Sequence, residues 1–409
     1  MVGAGDDSFT IISVDDHVIE PPDVWEGRMP ARFAARAPRV ARLRDIAPGD
    51  TRVPAKMQEH IVQADERGTD YWVFEDVLIP MSGLGAVAGR DRAEYSSDPV
   101  NFEEMRPGCY DPAARIADMD LDGVLGSVAF PSFPRFCGQL FSCDTKDKDL
   151  ALACIEAYND WMIEAWAGYA PGRLVSLCLI PLWDPQLAVA EMHRAAGKGA
   201  RAIAFSENPA WLGLPSIHDR NGYWDPVFSA AEDLGLPLCM HIGSASRSIV
   251  TADDAPRSIS VALAPFSCQF TLMDWLLSDV LLKHPRLQIV LSEGGIGWIP
   301  YVLDRADYSW EHQGPWTKTP HKEPPSHLFR EHFYGCFIWD PHGVRAIDDI
   351  GVDNVMMESD YPHSDSTWPH TLSAAREALK GFADEDVHKI TRGNAERVFR
   401  FQPSAVGSR

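Results

Sequence analysis

Residues 10–14 form an apolar run that leads into Asp15, Asp16 and His17. Side chains alternate along a strand, so a strand that continues to residue 17 turns Asp15 and His17 to the same side. A carboxylate beside an imidazole at a strand end offers two ligands to a divalent metal. Similar residues close later apolar runs. His241 closes 236–242, Glu293 closes 287–293, and Asp360 closes 354–360, with His363 shortly after it. Asp15, His17, His241 and Asp360 are therefore the candidate metal ligands.

Two carboxylates and two imidazoles suit a borderline cation, Zn2+ first, with Mn2+ or Fe2+ as alternatives. Three ligands with an open position leave room for a water or a substrate oxygen. The run 201–205 carries no lysine to bridge a second metal as a carbamate, so one ion is expected. Glu20, in the turn after His17, is placed to fix the second nitrogen of a metal-bound imidazole. Trp298 and Trp339 follow strand ends and are candidate walls of a substrate pocket.

The elements that must carry these residues alternate along the chain. Runs at 11–17, 123–130, 173–180, 201–205, 236–242, 287–293, 333–338 and 354–360 read as strands. Between them, 113–121, 147–168, 185–196, 222–234, 266–282, 298–311 and 341–349 read as helices, and two more follow at 370–380 and 384–399. The strands are continuous apolar runs, the mark of a sheet covered on both faces. Eight strand-and-helix units predict an α/β fold, a closed (β/α)8 TIM barrel, whose chemistry gathers at the C-terminal strand ends. Residues 25–107, rich in Pro, Arg, Gly and Asp, read as a cap inserted between the first two strands, with a hairpin at 71–74 and 76–79. The barrel is then expected over 1–24 and 108–400, with a tail at 401–409.

The chain has 409 residues, is 45% hydrophobic and 23% charged, and carries a formal net charge of −22. Without a Lys/Arg block, that charge argues against nucleic acid and anionic membranes as partners and leaves a small molecule. No Gly-x-Gly-x-x-Gly follows the first strand, which argues against dinucleotide binding. The N-terminus lacks a basic, apolar leader, and the eight cysteines are scattered without a Cys-x-x-Cys pair. Both features predict a cytoplasmic protein with reduced thiols.

Six stretches carry a resemblance to a known family: Asp-x-His-x-x-Glu-Pro-Pro-Asp at 15–23, Asp-Met-Asp-Leu-Asp-Gly-Val at 118–124, Tyr-Asn-Asp-Trp at 158–161, Leu-Gly-Leu-Pro-Leu-Cys-Met-His-Ile-Gly at 234–243, Glu-Ser-Asp-Tyr-Pro-His-Ser-Asp at 358–365 and Arg-Gly-Asn-Ala at 392–395. With them the chain resembles the amidohydrolase superfamily, in particular the branch that contains aminocarboxymuconate semialdehyde and γ-resorcylate decarboxylases. The resemblance implies that Asp15 and His17 stand at the first-strand ligand pair, His241 at the fifth-strand ligand, and Asp360 at an aspartate that binds metal and shuttles protons. It also implies a homodimer, as is common for large soluble enzymes. Where those decarboxylases carry a catalytic histidine after the sixth strand, this chain has Glu293, read here as base or water orienter. Asp360, Glu293 and His363 are thus the candidate catalytic groups.

The implied activity is a mononuclear metal-dependent, non-oxidative decarboxylation of a small aromatic or unsaturated carboxylic acid. The alternatives are a hydrolase that turns a metal-activated water on a C–N, C–O or C–C bond, and an inactive metal-bound scaffold.

Overall fold

The structure, a computed structural model, describes residues 9–42 and 68–401. Its centre is a ring of parallel strands. β1 (Ile11–Val18) pairs with β5 (Val124–Pro131), which pairs with β6 (Leu174–Val175). The ring continues through β7 (Leu177–Cys178), β8 (Ala202–Ala204), β9 (Leu238–His241), β10 (Ile289–Ser292), β11 (Phe333–Phe337) and β12 (Val355–Met357). Ser176 interrupts the strand expected at 173–180, so β6 and β7 are two halves of one stave. The ring closes between β12 and β1 at its C-terminal end, where Asp360 N–H donates to the Asp15 carbonyl at 2.8 Å and His17 N–H to the Tyr361 carbonyl at 2.7 Å. The expected eight-stave TIM barrel is thus the observed one.

The staves form where the sequence supplies apolar runs, and every residue of β1, β5, β9, β10 and β11 is buried. The helices between them start where caps are available. Asp111 accepts from Ala114 N–H ahead of the helix Pro112–Asp122, and Asp184 accepts from Gln186 and Leu187 N–H ahead of Pro185–Lys198. Such caps satisfy first-turn donors that the helix itself leaves open.

Two departures from the expected elements matter for the site. β12 ends at Met357 rather than at residue 360, so Glu358, Ser359 and Asp360 leave the ladder. β1 holds one more residue than β5 between the pairs Ser13–Ser127 and Asp16–Ala129, a bulge at Val14–Asp15. Bulges re-aim side chains, and they recur beside active sites.

The inserted cap contains the expected hairpin as β3 (Asp70–Phe74) and β4 (Val77–Pro80). A strand not expected from the sequence, β2 (Arg39–Arg42), pairs antiparallel with β3. Trp72 of β3 stacks on Phe133 with ring centroids 4.5 Å apart and meets Trp25 edge-on, which ties the cap to the loop after β5. Residues 43–67 of the expected insertion and 402–409 of the expected tail lie outside the described residues; Phe401, placed with that tail, packs in the core.

The helix expected at 266–282 stops at Leu276, and a further helix, Arg257–Leu263, precedes it. The stretch 257–276 is long and apolar enough to match a bilayer span. It breaks between Leu263 and Phe266, however, and buries Cys268, Leu272, Trp275 and Leu276 in the protein core.

Candidate active site

Asp15 and His17 lie fully buried where the bulge of β1 opens toward the barrel axis. His17 Nε2 stands 3.1 Å from Nε2 of His241, the last residue of β9. Asp15 Oδ1 is 3.6 Å from His17 Nε2 and Asp15 Oδ2 is 3.4 Å from His241 Nε2. Asp360 Oδ1 lies 3.3 Å from His17 Nε2, and Glu293 Oε2 lies 3.0 Å from His241 Nε2. His241 Nδ1 is 2.6 Å from the Ile242 carbonyl, so it carries the proton and Nε2 presents a lone pair to the cluster.

This donor set fits one divalent cation. Ligands about 2.0–2.2 Å from a shared ion stand roughly 2.8–3.6 Å apart in tetrahedral or octahedral shells, the spacing found here. Both carboxylate oxygens of Asp15 and of Asp360 are buried without a hydrogen-bond partner. Buried polar atoms are ordinarily paired, and leaving one unpaired costs about 1–3 kcal/mol, so four such oxygens in one place call for a cation.

The titration of these groups points the same way. Burial, followed by the charges of Glu358 and Asp360, pushes the Asp15 carboxyl well above the usual range. Burial and then Glu293 do the same to Asp360. Burial, then the His363 and His241 rings, hold His17 well below the ordinary imidazole value. For Glu293 burial pulls upward, but the adjacent His241 ring outweighs it and the carboxyl sits low. A divalent ion is the largest local charge such a site can hold and would favour the ionised carboxylates.

The candidate catalytic groups surround this point. His363 stacks on His17 with ring centroids 3.6 Å apart, and its Nδ1 is 3.0 Å from Asp360 Oδ1. Phe136 stacks on His241 at 4.1 Å. Glu293 and Asp360 have φ of +59° and +55°, in the left-handed region. Non-glycine residues held there are strained by of order 1–3 kcal/mol, and such strain clusters at functional sites.

Three groups contribute that the strand pattern did not single out. Asp16 points away from the ligand cluster and accepts from Ser13 Oγ at 2.9 Å, Ser359 Oγ at 2.6 Å, Tyr361 N–H at 3.1 Å and Ser127 Oγ. It therefore ties β1, β5 and the loop after β12 together beneath the site. Arg115, fully buried, donates to the His17 carbonyl at 2.5 Å and packs over the Tyr361 ring. Glu358 accepts from Glu293 N–H at 3.1 Å, while its Oε1 has no partner.

Glu20 does not fix an imidazole. Its two oxygens accept from Ser132 N–H at 3.0 Å and Phe133 N–H at 2.8 Å, and His17 Nδ1 has no partner. The turn after Val18 carries Glu20 toward the end of β5 instead, where it fastens the loop that holds Phe133 against Trp72. Burial lifts its carboxyl to about 7, above an ordinary value near 4.5. A folded-state pKa above the unfolded one adds stability that is present below about pH 4.5 and lost as pH rises through about 7. Against Glu20→Gln, the wild type should therefore lose up to about 3 kcal/mol of relative stability across that window. Urea midpoints of the two proteins from pH 5.5 to 8 read the slope.

Trp298 and Trp339 both border a cavity of about 1150 Å³ that reaches Glu293 and Glu358. A second cavity of about 520 Å³ reaches Glu293 from the side of His241, Phe136 and His363. The smaller space thus reaches the ligand cluster at His241, and Glu293 borders both spaces.

A family model described as amidohydrolase matches residues 92–401, which include His241, Glu293 and Asp360 but not β1. A γ-resorcylate decarboxylase from Polaromonas sp. (strain JS666) is 26% identical over 348 residues, 81% of this chain and 97% of that protein. In fold the chain is similar to an amidohydrolase from Mycobacterium avium subsp. paratuberculosis, with TM-score 0.68, 21% identity and coverage of 96% of this chain and 99% of that one. It is also similar to 5-carboxyvanillate decarboxylase from Novosphingobium aromaticivorans, solved with manganese and 4-hydroxy-3-methoxy-5-nitrobenzoic acid, with TM-score 0.64, 18% identity and coverage of 97% of each chain.

Proposed function

This chain belongs to the amidohydrolase family, and from that premise we propose that it is a metal-dependent, non-oxidative decarboxylase of a hydroxylated aromatic acid. The observation that supports the reading is the gathering of Asp15, His17, His241 and Glu293 at the barrel mouth, with Asp360 and His363 grouped on the other side of His17 and with both oxygens of Asp15 and of Asp360 buried without a hydrogen-bond partner. The decarboxylases among its relatives support the choice of reaction. Two imidazoles and two carboxylates take zinc or manganese, and the manganese in solved relatives supports the latter.

When bound, the ion supplies Lewis-acid charge for the substrate's carboxylate and neighbouring hydroxyl. Asp15, His17 and His241 would hold it, with Asp360 or Glu293 completing the set. Asp360 in its protonated form delivers a proton to the ring carbon that bears the carboxylate. The bond from that carbon to the carboxylate then breaks, carbon dioxide leaves, and the electron pair restores the aromatic ring. No oxidant or reductant is needed. His363, mostly buried but with 19% of its side chain exposed and 3.0 Å from Asp360, returns the proton from solvent. Glu293, beside His241, orients the substrate hydroxyl.

Release of carbon dioxide from 2-hydroxybenzoate, 2,6-dihydroxybenzoate and related acids, by metal-loaded and by chelated protein, tests the reading. It stands if release needs the metal and fails if no such acid is turned over. Glu293→Gln should keep the metal and lower kcat by about 10²–10⁴; single-turnover rates with metal content measured alongside check it.

We further propose a homodimer. Exposed Phe270, Tyr301 and Tyr308 on the helices Phe266–Leu276 and Ile299–Thr317 support an apolar contact face.

A further inference from the structure

The two spaces that meet at Glu293 differ in size and lining. The smaller, about 520 Å³, reaches the ligand cluster at His241, with His363, Phe136, Arg247 and Arg257 also on its walls. The larger, about 1150 Å³, lies beyond Glu293 and touches none of Asp15, His17, His241 or Asp360. Pockets that enclose whole drug-sized ligands measure about 300–1000 Å³, so the smaller space alone suffices for a one-ring acid.

Four aromatic side chains stand on the walls of the larger space, beside the carboxylates of Glu293, Glu358 and Asp365. Trp298 is fixed by its indole N–H, which donates to the Gly294 carbonyl at 2.7 Å, so its ring is presented in one orientation next to Glu293. Tyr95 from the cap and Phe266 also line it, as does Trp339 on the rim. Phe266 is 44% exposed and Trp339 is 67% exposed. Large apolar side chains gathered around an open cavity mark a binding site for apolar surface. Asp340 also borders this space, but its oxygens are taken by the N–H groups of Ile296, Gly297 and Gly343, so it is part of the frame. Arg92, exposed and bordering the same space, sits where its charge acts on Asp365.

We propose that the substrate is a two-ring aromatic acid, an aryl carboxylate bearing a second aryl group that lies in the space walled by Trp298, Phe266, Tyr95 and Trp339. This rests on the decarboxylase reading above for the reacting ring and adds the part of the substrate that does not react. Binding energy from such a remote group positions the reacting carbon.

The test compares 2-hydroxybenzoate with its 4-phenyl and 5-phenyl derivatives on the metal-loaded enzyme, by kcat/KM and by calorimetric binding. One phenyl isomer should exceed the parent acid at least tenfold in both, and Phe266→Ala and Trp339→Ala should each bring that ratio toward one. If both phenyl acids bind and react no better than the parent, the two-ring inference falls and the decarboxylase reading stands. If a phenyl acid binds tighter, with the gain lost in the variants, but no acid releases carbon dioxide, the decarboxylase reading falls and the two-ring site stands.

Discussion

Asp360→Asn is expected to lower kcat by about 10³–10⁴ while the protein remains folded. Asn has the shape of Asp and keeps an oxygen toward His17, but it has no proton to give to a ring carbon. The size of the loss is that of removing a positioned acid. Because Asp15, His17 and His241 remain, metal should be retained at reduced affinity, so the rate must be measured with metal in excess. A single-turnover rate within tenfold of wild type would return the proton-donor role to Glu293 or His363. The geometry favours Asp360: it is fully buried beside the ligand cluster, and its Oδ1 lies 3.0 Å from His363 Nδ1, the group that resupplies its proton.

Metal removal should have an equally large effect on stability as well as rate. In the ion-free protein Asp15, Asp360 and Glu358 are all raised by burial. Groups raised in the fold give stability at low pH that is lost as pH rises, so the chelated protein should weaken as pH rises above the ordinary carboxylate range. The loaded protein should not, because the ion favours the ionised carboxylates. At a thousandfold excess over Kd the ion adds about 4 kcal/mol, or roughly 5–10 °C in Tm for a chain of this size. The Tm gap between loaded and chelated protein should therefore widen with pH. His241→Ala should lose stoichiometric metal and remove the gap; an unchanged gap in that variant would place the ion elsewhere.

Much of this site was legible in the residues. Alternation along β1 put Asp15 and His17 on one side, and the apolar runs around His241 and Asp360 marked strand ends that meet at a barrel mouth. Alternation also hid something. Asp16 faces away from the ligands, yet it gathers hydroxyls and an N–H from β1, β5 and the loop after β12, up to 345 residues away, which no local pattern reveals. The reading of 354–360 as one strand concealed Glu358. The ladder stops at Met357, and the turn to a left-handed Asp360 brings Glu358 under Glu293. Glu20 misled because closeness in sequence suggested closeness to the imidazole; the chain turns at Pro21 and Pro22, and the carboxylate follows the cap. The barrel itself was readable from periodicity, whereas β2, with its charged Arg-Val-Ala-Arg sequence, forms only because β3 offers an edge.

Turnover of a hydroxylated aryl acid by the metal-loaded enzyme in D2O containing 18O-labelled water tests the central claim most directly. Decarboxylation gives one carbon dioxide per product, deuterium at the carbon that carried the carboxylate, and no label from water oxygen in the aromatic product. An aromatic product that keeps its carboxylate and carries 18O would contradict it, and would identify the metal site as one that activates water.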